Sequence, residues 1–256
     1  MTIFRNVVFV AALAGLLAGI VMTAMQTYAT VPLILQAEVF ESAASASEVV
    51  APADIASGTE AAAPHAHDAA TLAHEHNEEA WGPADGFERF AYTALANIVT
   101  AIGFALVLVA ASELAGGIAN WRQGIFWGFA GFAIFTLAPG LGLPPELPTM
   151  PAADLGDRQV WWIATVVATA AGLGLIAFRS SVLLSLVGFA LIVAPHLVGA
   201  PQPVSHDSPI PAGLHHQFVV AATVTNLIFW VVLGGAAGVI RSRVSGSASS
   251  LRDSFA

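Results

Sequence analysis

The sequence predicts an all-α, polytopic membrane helix bundle of about six transmembrane helices. Three observations predict it. Charged residues make up only 10% of the 256 positions and the mean hydropathy is +0.76, whereas a soluble domain carries roughly 25% charged residues. Several apolar runs approach the ~20 residues that a helix needs to cross a ~30 Å hydrocarbon core. The runs are also continuous and rich in Ala, Leu and Gly, unlike the short alternating segments of a transmembrane β-barrel.

In chain order the candidate spans are Phe4–Tyr28, Phe90–Ala111, Ile118–Leu137, Val160–Phe178, Val182–Val198 and Phe218–Ile240. The first has one arginine before its apolar stretch. That stretch outruns the 7–15 residues of a signal-peptide core, so an uncleaved first helix is expected. Pro139 and Pro195 interrupt the far ends of the third and fifth spans. A proline there lacks a donor and clashes with the preceding turn, so a break or kink is expected at each.

Orientation follows from the basic residues, all eight of which are arginines. Arg5, Arg122, Arg179, Arg241, Arg243 and Arg252 fall on one side of a six-span arrangement, and Arg89 and Arg158 on the other. The positive-inside rule then puts both termini in the cytoplasm. The opposite side receives most of the acids and the histidines outside the spans. Residues Ala37 to Gly86 form one long polar segment dominated by Ala, Ser, Glu, Asp and His. Such a composition buries too little surface to offset its ordering entropy, so a mobile external loop is expected within a single membrane domain.

Two finer patterns bear on packing. Ala138-Pro139-Gly140-Leu141 with Pro145 echoes Ala194-Pro195-His196-Leu197 with Pro201, and each follows a hairpin opening on an acid–Arg pair, Glu88-Arg89 or Asp157-Arg158. This suggests a tandem hairpin repeat, although chance supplies such matches in an Ala/Pro-rich chain. Small residues at four-residue spacing, Gly15 and Gly19, Gly124 and Gly128, Gly234 and Gly238, let helix backbones approach closely. They fit a tight bundle or a homo-oligomer equally well.

The chemistry-bearing residues concentrate on the acidic side. His65, His67, Asp68, His74, Glu75 and His76 lie close together in the long loop, with Glu78 and Glu79 next. Imidazole and carboxylate at short spacing can wrap a divalent transition metal, and imidazole suits zinc, copper(II), cobalt and nickel. The plainer reading is a solvated polar loop. The chain has no cysteine, so disulfides and thiolate ligands are excluded. His196 follows Pro195 at the outer end of the fifth span, where it could face a cavity or cap a carbonyl. His206-Asp207 and His215-His216 lie on the following external segment.

Glu113 and Arg122 flank a short turn, and a solvated Glu113 is favoured over an ion pair. Asn97, Asn226 and Gln26 fall inside spans, where interhelical hydrogen bonding is commoner than ion coordination. Trp81, Trp161 and Trp162 read as interfacial belt residues.

An enzyme finds little support. His74-Glu75-His76 lacks the two-residue gap that puts both histidines of a zinc-protease helix on one face. No phosphate loop, nucleophile motif or nucleic-acid-binding feature is present. No tightly bound cofactor is expected beyond a bound or transported divalent metal.

Several stretches resemble a known family. The opening Phe4-Arg5 helix with Gly15 and Gly19, Leu143-Pro144-Pro145-Glu146-Leu147-Pro148, Asp157-Arg158-Gln159-Val160-Trp161-Trp162, and Ala194-Pro195-His196-Leu197 with Gly199-Ala200-Pro201 are similar to the predicted cobalt transporter subunit CbtA. The resemblance implies a protein of the bacterial inner membrane that takes up cobalt, or a metal of like chemistry such as nickel or zinc, for cobalamin synthesis. It also implies a small His-bearing membrane partner, CbtB. Glu146 and His196 lie inside the matching stretches and rank above the loop histidines as selective ligands. The metal-site expectation therefore comprises His196, Glu146, His206, His215 and His216 as an external mouth, with His65, His67, His74 and His76 collecting metal. Ligation needs deprotonated imidazole, so binding should weaken as pH falls through the histidine range. A metal-binding accessory or sensor protein that conducts nothing is the alternative.

Overall fold

The apolar periodicity resolves into helices throughout the computed structural model, which describes residues 2–49, 82–84 and 86–254. In chain order these are α1 (Thr2–Ala29), α2 (Val31–Val49), α3 (Phe87–Leu114), α4 (Trp121–Phe132), a π-helical turn (Ala133–Leu137), α5 (Ala138–Gly142), α6 (Leu155–Phe178), α7 (Val182–Val198) and α8 (Ala212–Ser254). Among the described residues five stretches are long and apolar enough to cross a membrane: α1, α3, α4 through α5, α6 and α8. Two shorter apolar stretches stand beside them, Val31–Phe40 in α2 and the 17-residue α7, where the sequence reading expected six spans of which α7 was one.

The radial pattern is that of a protein solvated by lipid. Small side chains such as Ala11, Ala14, Ala18, Ala101 and Ala105 are fully buried in the core, while Ile20, Val99, Val167, Leu186 and Phe189 are exposed. Lipid supplies no hydrophobic drive to bury large apolar groups, so close van der Waals contact between small residues holds the helices. All three glycine pairs are used in this way. A Cβ at Gly15 would stand 2.5 Å from the Ile102 Cα, and one at Gly124 would stand 2.1 Å from the Gly234 carbonyl oxygen. These contacts lie within the chain. The glycine pairs are therefore spent on the bundle itself.

Helices α1, α3, α4 and α8 form the central body, and α6 and α7 form a hairpin packed on itself across Gly172 and Gly188. This hairpin reaches the body chiefly through the π turn and α5. The two hairpins of the sequence echo are accordingly packed differently, since α4 sits against α8 and touches α3 little.

Capping is local and legible. Asn120 accepts from the Gln123 N–H at 3.0 Å while Gln123 reaches back to the Ala119 N–H at 2.7 Å, a capping-box arrangement. Asp154 accepts from the N–H groups of Gly156 and Asp157, starting α6.

Neither proline breaks its helix. Pro139 has no N–H to offer, and the preceding turn widens so that Ala138 donates to Ala133; the helix then continues to Gly142. Pro195 stands inside α7, which ends one turn later at Gly199, whose φ is 85°. Pro195 lacks a donor and crowds the Leu191 carbonyl in the preceding turn, yet the helix runs on to Val198.

The segment from Ala37 onward also begins differently from expectation. The helix α2 carries it as far as Val49; residues 50–81 and 85 lie outside the described residues. Ala37 packs with Leu147, Ile210, Leu214 and Phe218 in a second small core, and Glu38 pairs with Arg89 at the start of α3. These tertiary contacts order a stretch that composition alone leaves polar.

Candidate functional site

The bundle has two chemically distinct ends. Arg5, Arg122, Arg179, Arg241 and Arg243 mark the end where α1 begins, α4 begins and α6 finishes. The other, here the loop end, holds Glu38, Arg89, Glu146, Arg158 and the described histidines.

At the loop end, Leu143–Leu147 is the hub. The capped start of α6 sets Arg158 against Glu146 at 3.0 Å. His215, in the first turn of α8, donates from Nε2 to the Pro145 carbonyl at 3.2 Å. Trp161 is buried: its indole N–H donates to the Pro195 carbonyl at 3.3 Å, and its ring meets His196 edge-on at 5.9 Å. His196 thus stands in an intact helical turn and not at a helix break. Glu146, His196 and His215 are brought to one side of the molecule, whereas His206 and His216 are exposed. Among the described residues no three histidine or acidic side chains gather closely enough to hold a metal ion. His65, His67, His74 and His76 lie outside the described residues, as does Trp81.

A polar network crosses the α1–α3 interface deeper in the bundle. The Asn97 amide donates to the Gln26 side-chain oxygen at 2.7 Å and to the Thr23 hydroxyl at 3.1 Å. It borders a cavity of about 630 Å³ that opens at the loop end and is lined by Gln26, Thr27, Thr30, Thr93, Arg89 and Asn226, among apolar neighbours. A second cavity, about 300 Å³, lies at the opposite end of the same helices, between Asn6, Val10, Glu113 and Arg241. A third, about 420 Å³, lies on the other side of α8 between the π turn, Trp162 and Thr223.

The opposite end corrects one sequence expectation. Glu113 is half-buried and ion-paired: it takes a two-pronged ion pair from Arg241, 2.6 Å and 3.0 Å, while Arg241 also donates to the Ile118 carbonyl at 2.7 Å. Helix α8 runs on beyond the apolar span and carries Arg241 across to the end of α3. Arg122 instead lies over the Trp121 ring at 5.4 Å.

A family model described as a probable cobalt transporter subunit, CbtA, matches residues 4–242. The chain belongs to the CbtA family. The match runs from the start of α1 into the last part of α8 and includes Leu143–Leu147, so CbtA membership covers the loop-end cluster as well as the bundle. No curated protein and no solved structure matches the chain.

Within this CbtA fold, sequence reading missed the Glu38–Arg89, Glu146–Arg158 and Glu113–Arg241 pairs. It noted Glu88-Arg89 and Asp157-Arg158 only as the openings of two hairpins and named no partner for either arginine. The available signal was charge balance at each membrane face: an arginine and an acid falling at the same depth on different spans.

Proposed function

We propose that this multi-pass membrane protein imports a divalent transition metal, with cobalt as the favoured cargo and cobalamin synthesis as its use. The match to a cobalt transporter subunit family over residues 4–242 carries the reading. The arginine distribution supports a loop end facing outward from a bacterial inner membrane and both termini in the cytoplasm. In this reading His65, His67, His74 and His76 raise the local metal concentration. Glu146, His196, His206, His215 and His216 then receive the ion by stepwise exchange of hydration waters. Glu146 holds Arg158 through Oε2 at 3.0 Å, so its other oxygen can ligate while the arginine orients the carboxylate. The word subunit in the family description supports a partner, for which a small His-bearing protein resembling CbtB is the candidate. No enzymatic step is part of this reading.

The accessory or sensor reading differs in flux. Cells lacking other cobalt importers should accumulate cobalt-57 when given this chain and its small partner. His196→Ala should abolish uptake, while deletion of residues 61–79 should weaken it only at low cobalt. Binding without accumulation above the empty vector would favour the accessory reading.

A further inference from the structure

The two cavities at opposite ends of the bundle share three lining helices, α1, α3 and α8, and α2 adds Val31, Ile34 and Leu35 to the outer one. Between them these helices carry no charged residue: residues 11–21, 94–108 and 227–240 are apolar or neutral. The core there is closed by small groups, Ala14, Ala18, Ala101 and Ala105, with Leu108 and Leu233. Along α1 the closed stretch from Val10 to Met22 is about 18 Å long at 1.5 Å per residue.

The outer cavity has a particular chemistry. Thr27, Thr30 and Thr93 each donate their hydroxyl hydrogen to the carbonyl four residues earlier. Asn226 donates its amide to the Ala222 carbonyl at 2.9 Å. Each group has thus used a hydrogen on its own helix and keeps its oxygen as an acceptor. A hydrated cation turns its water hydrogens outward and is complementary to such a lining. Six waters at ~30 Å³ each need about 180 Å³, well within the cavity of about 630 Å³. Among the described residues that line the cavity the one cation, Arg89, is paired with Glu38.

At the far end, Glu113 is the carboxylate lining the inner cavity, and it is held by Arg241.

We propose that the divalent cation crosses along this α1–α3–α8 seam. It is received as a hydrated ion at the oxygens of Thr27, Thr30, Thr93 and Asn226, and it leaves past Glu113 as that carboxylate exchanges Arg241 for the ion. The route rests on the transport reading above. It bypasses the α6–α7 hairpin, whose His196 and Trp161 act at the mouth only.

The absence of cysteine gives a clean test. Thr27→Cys, Thr93→Cys and Thr223→Cys are each expressed with the partner, treated from outside with a membrane-impermeant maleimide, and assayed for cobalt-57 uptake. Thr223 lines the adjoining cavity, which shares Ala222 and Asn226 with the outer one but none of Thr27, Thr30 and Thr93, and serves as the comparison. Labelling at Thr27→Cys or Thr93→Cys should block uptake, and labelling at Thr223→Cys should leave it intact. A second arm avoids bulky adducts: Thr93→Val keeps the shape but loses the oxygen. Uptake at limiting cobalt should fall about fivefold, the effect of one lost acceptor, at unchanged protein level, while Thr223→Val should match wild type.

Full labelling of the seam cysteines without loss of uptake, or a block at Thr223→Cys alone, would overturn the route while leaving transport standing. Seam cysteines that stay unlabelled would overturn it too, because the cavity would then be dry. No uptake by wild type would instead sink the transport reading itself.

Discussion

Arg241 shows how one side chain can tie together three parts of the chain. Its guanidinium fork spans the Glu113 carboxylate and the Ile118 carbonyl, and it lies where a Cβ on Gly117 would stand 2.0 Å from its Nη2. Gly117 also has φ of 80°, which favours glycine. Both partners of the pair are mostly withdrawn from solvent, with 22% and 28% of their side chains exposed. Arg241→Ala leaves a largely desolvated carboxylate alone and should cost about 1–3 kcal/mol, below the full cost for a fully buried pair. Thermal unfolding of the detergent-solubilised protein should show that loss, with Glu113→Ala adding little to it in a double-mutant cycle. Additive losses would mean that the pair is not coupled. Arg241→Lys should recover only part of the stability, because an ammonium cannot reproduce the fork. None of this was legible locally, since Glu113 and Arg241 stand 128 positions apart. Only the crossing of α8 over the end of α3 makes them neighbours.

Among helices, the interfaces differ in how much they tolerate. The α4–α8 contact has backbone against backbone at Gly124, Gly128, Gly234 and Gly238. Gly124→Ala must separate the helices and should destabilise by about 1–3 kcal/mol, as overpacking does. Gly103 on α3 has nothing within 4 Å of where its Cβ would be, so Gly103→Ala should be neutral or slightly stabilising, since alanine is the better helix former by about 1 kcal/mol. Equal melting temperatures for the two variants would argue against the packing described. The four-residue glycine spacing was visible in the sequence, but its use was not: it fits a neighbouring helix and a second copy of the chain equally well. Span boundaries were legible because apolar length reports them directly. The fate of Pro139 was not, because it depends on whether a π turn can absorb the missing donor. Helix α2 was hidden for a related reason. Its order rests on Leu147, Ile210, Leu214 and Phe218, residues far along the chain.

Across the whole molecule, the separation of charge predicts an arrangement that can be checked in cells. A fluorescent protein fused after Ala256, or inserted between Ala119 and Asn120, should fluoresce, and alkaline phosphatase inserted after Gly82 should be active. These outcomes follow from an arginine-rich face in the cytoplasm; an inactive phosphatase at Gly82 together with a dark C-terminal fusion would invert the orientation. By itself the sequence determined the solvent of this protein, its all-helical class and the charge of each end, because hydropathy and arginine position act on the chain segment by segment. It also named most of the loop-end residues, through motifs whose neighbours in sequence are neighbours in space. Only the tertiary structure decided which charges pair, which cavities share one set of helices, and that Glu146, His196 and His215 share a hub without closing into a metal cage. Those outcomes depend on distances between segments far apart in the chain, and these are fixed by helix packing rather than by local composition.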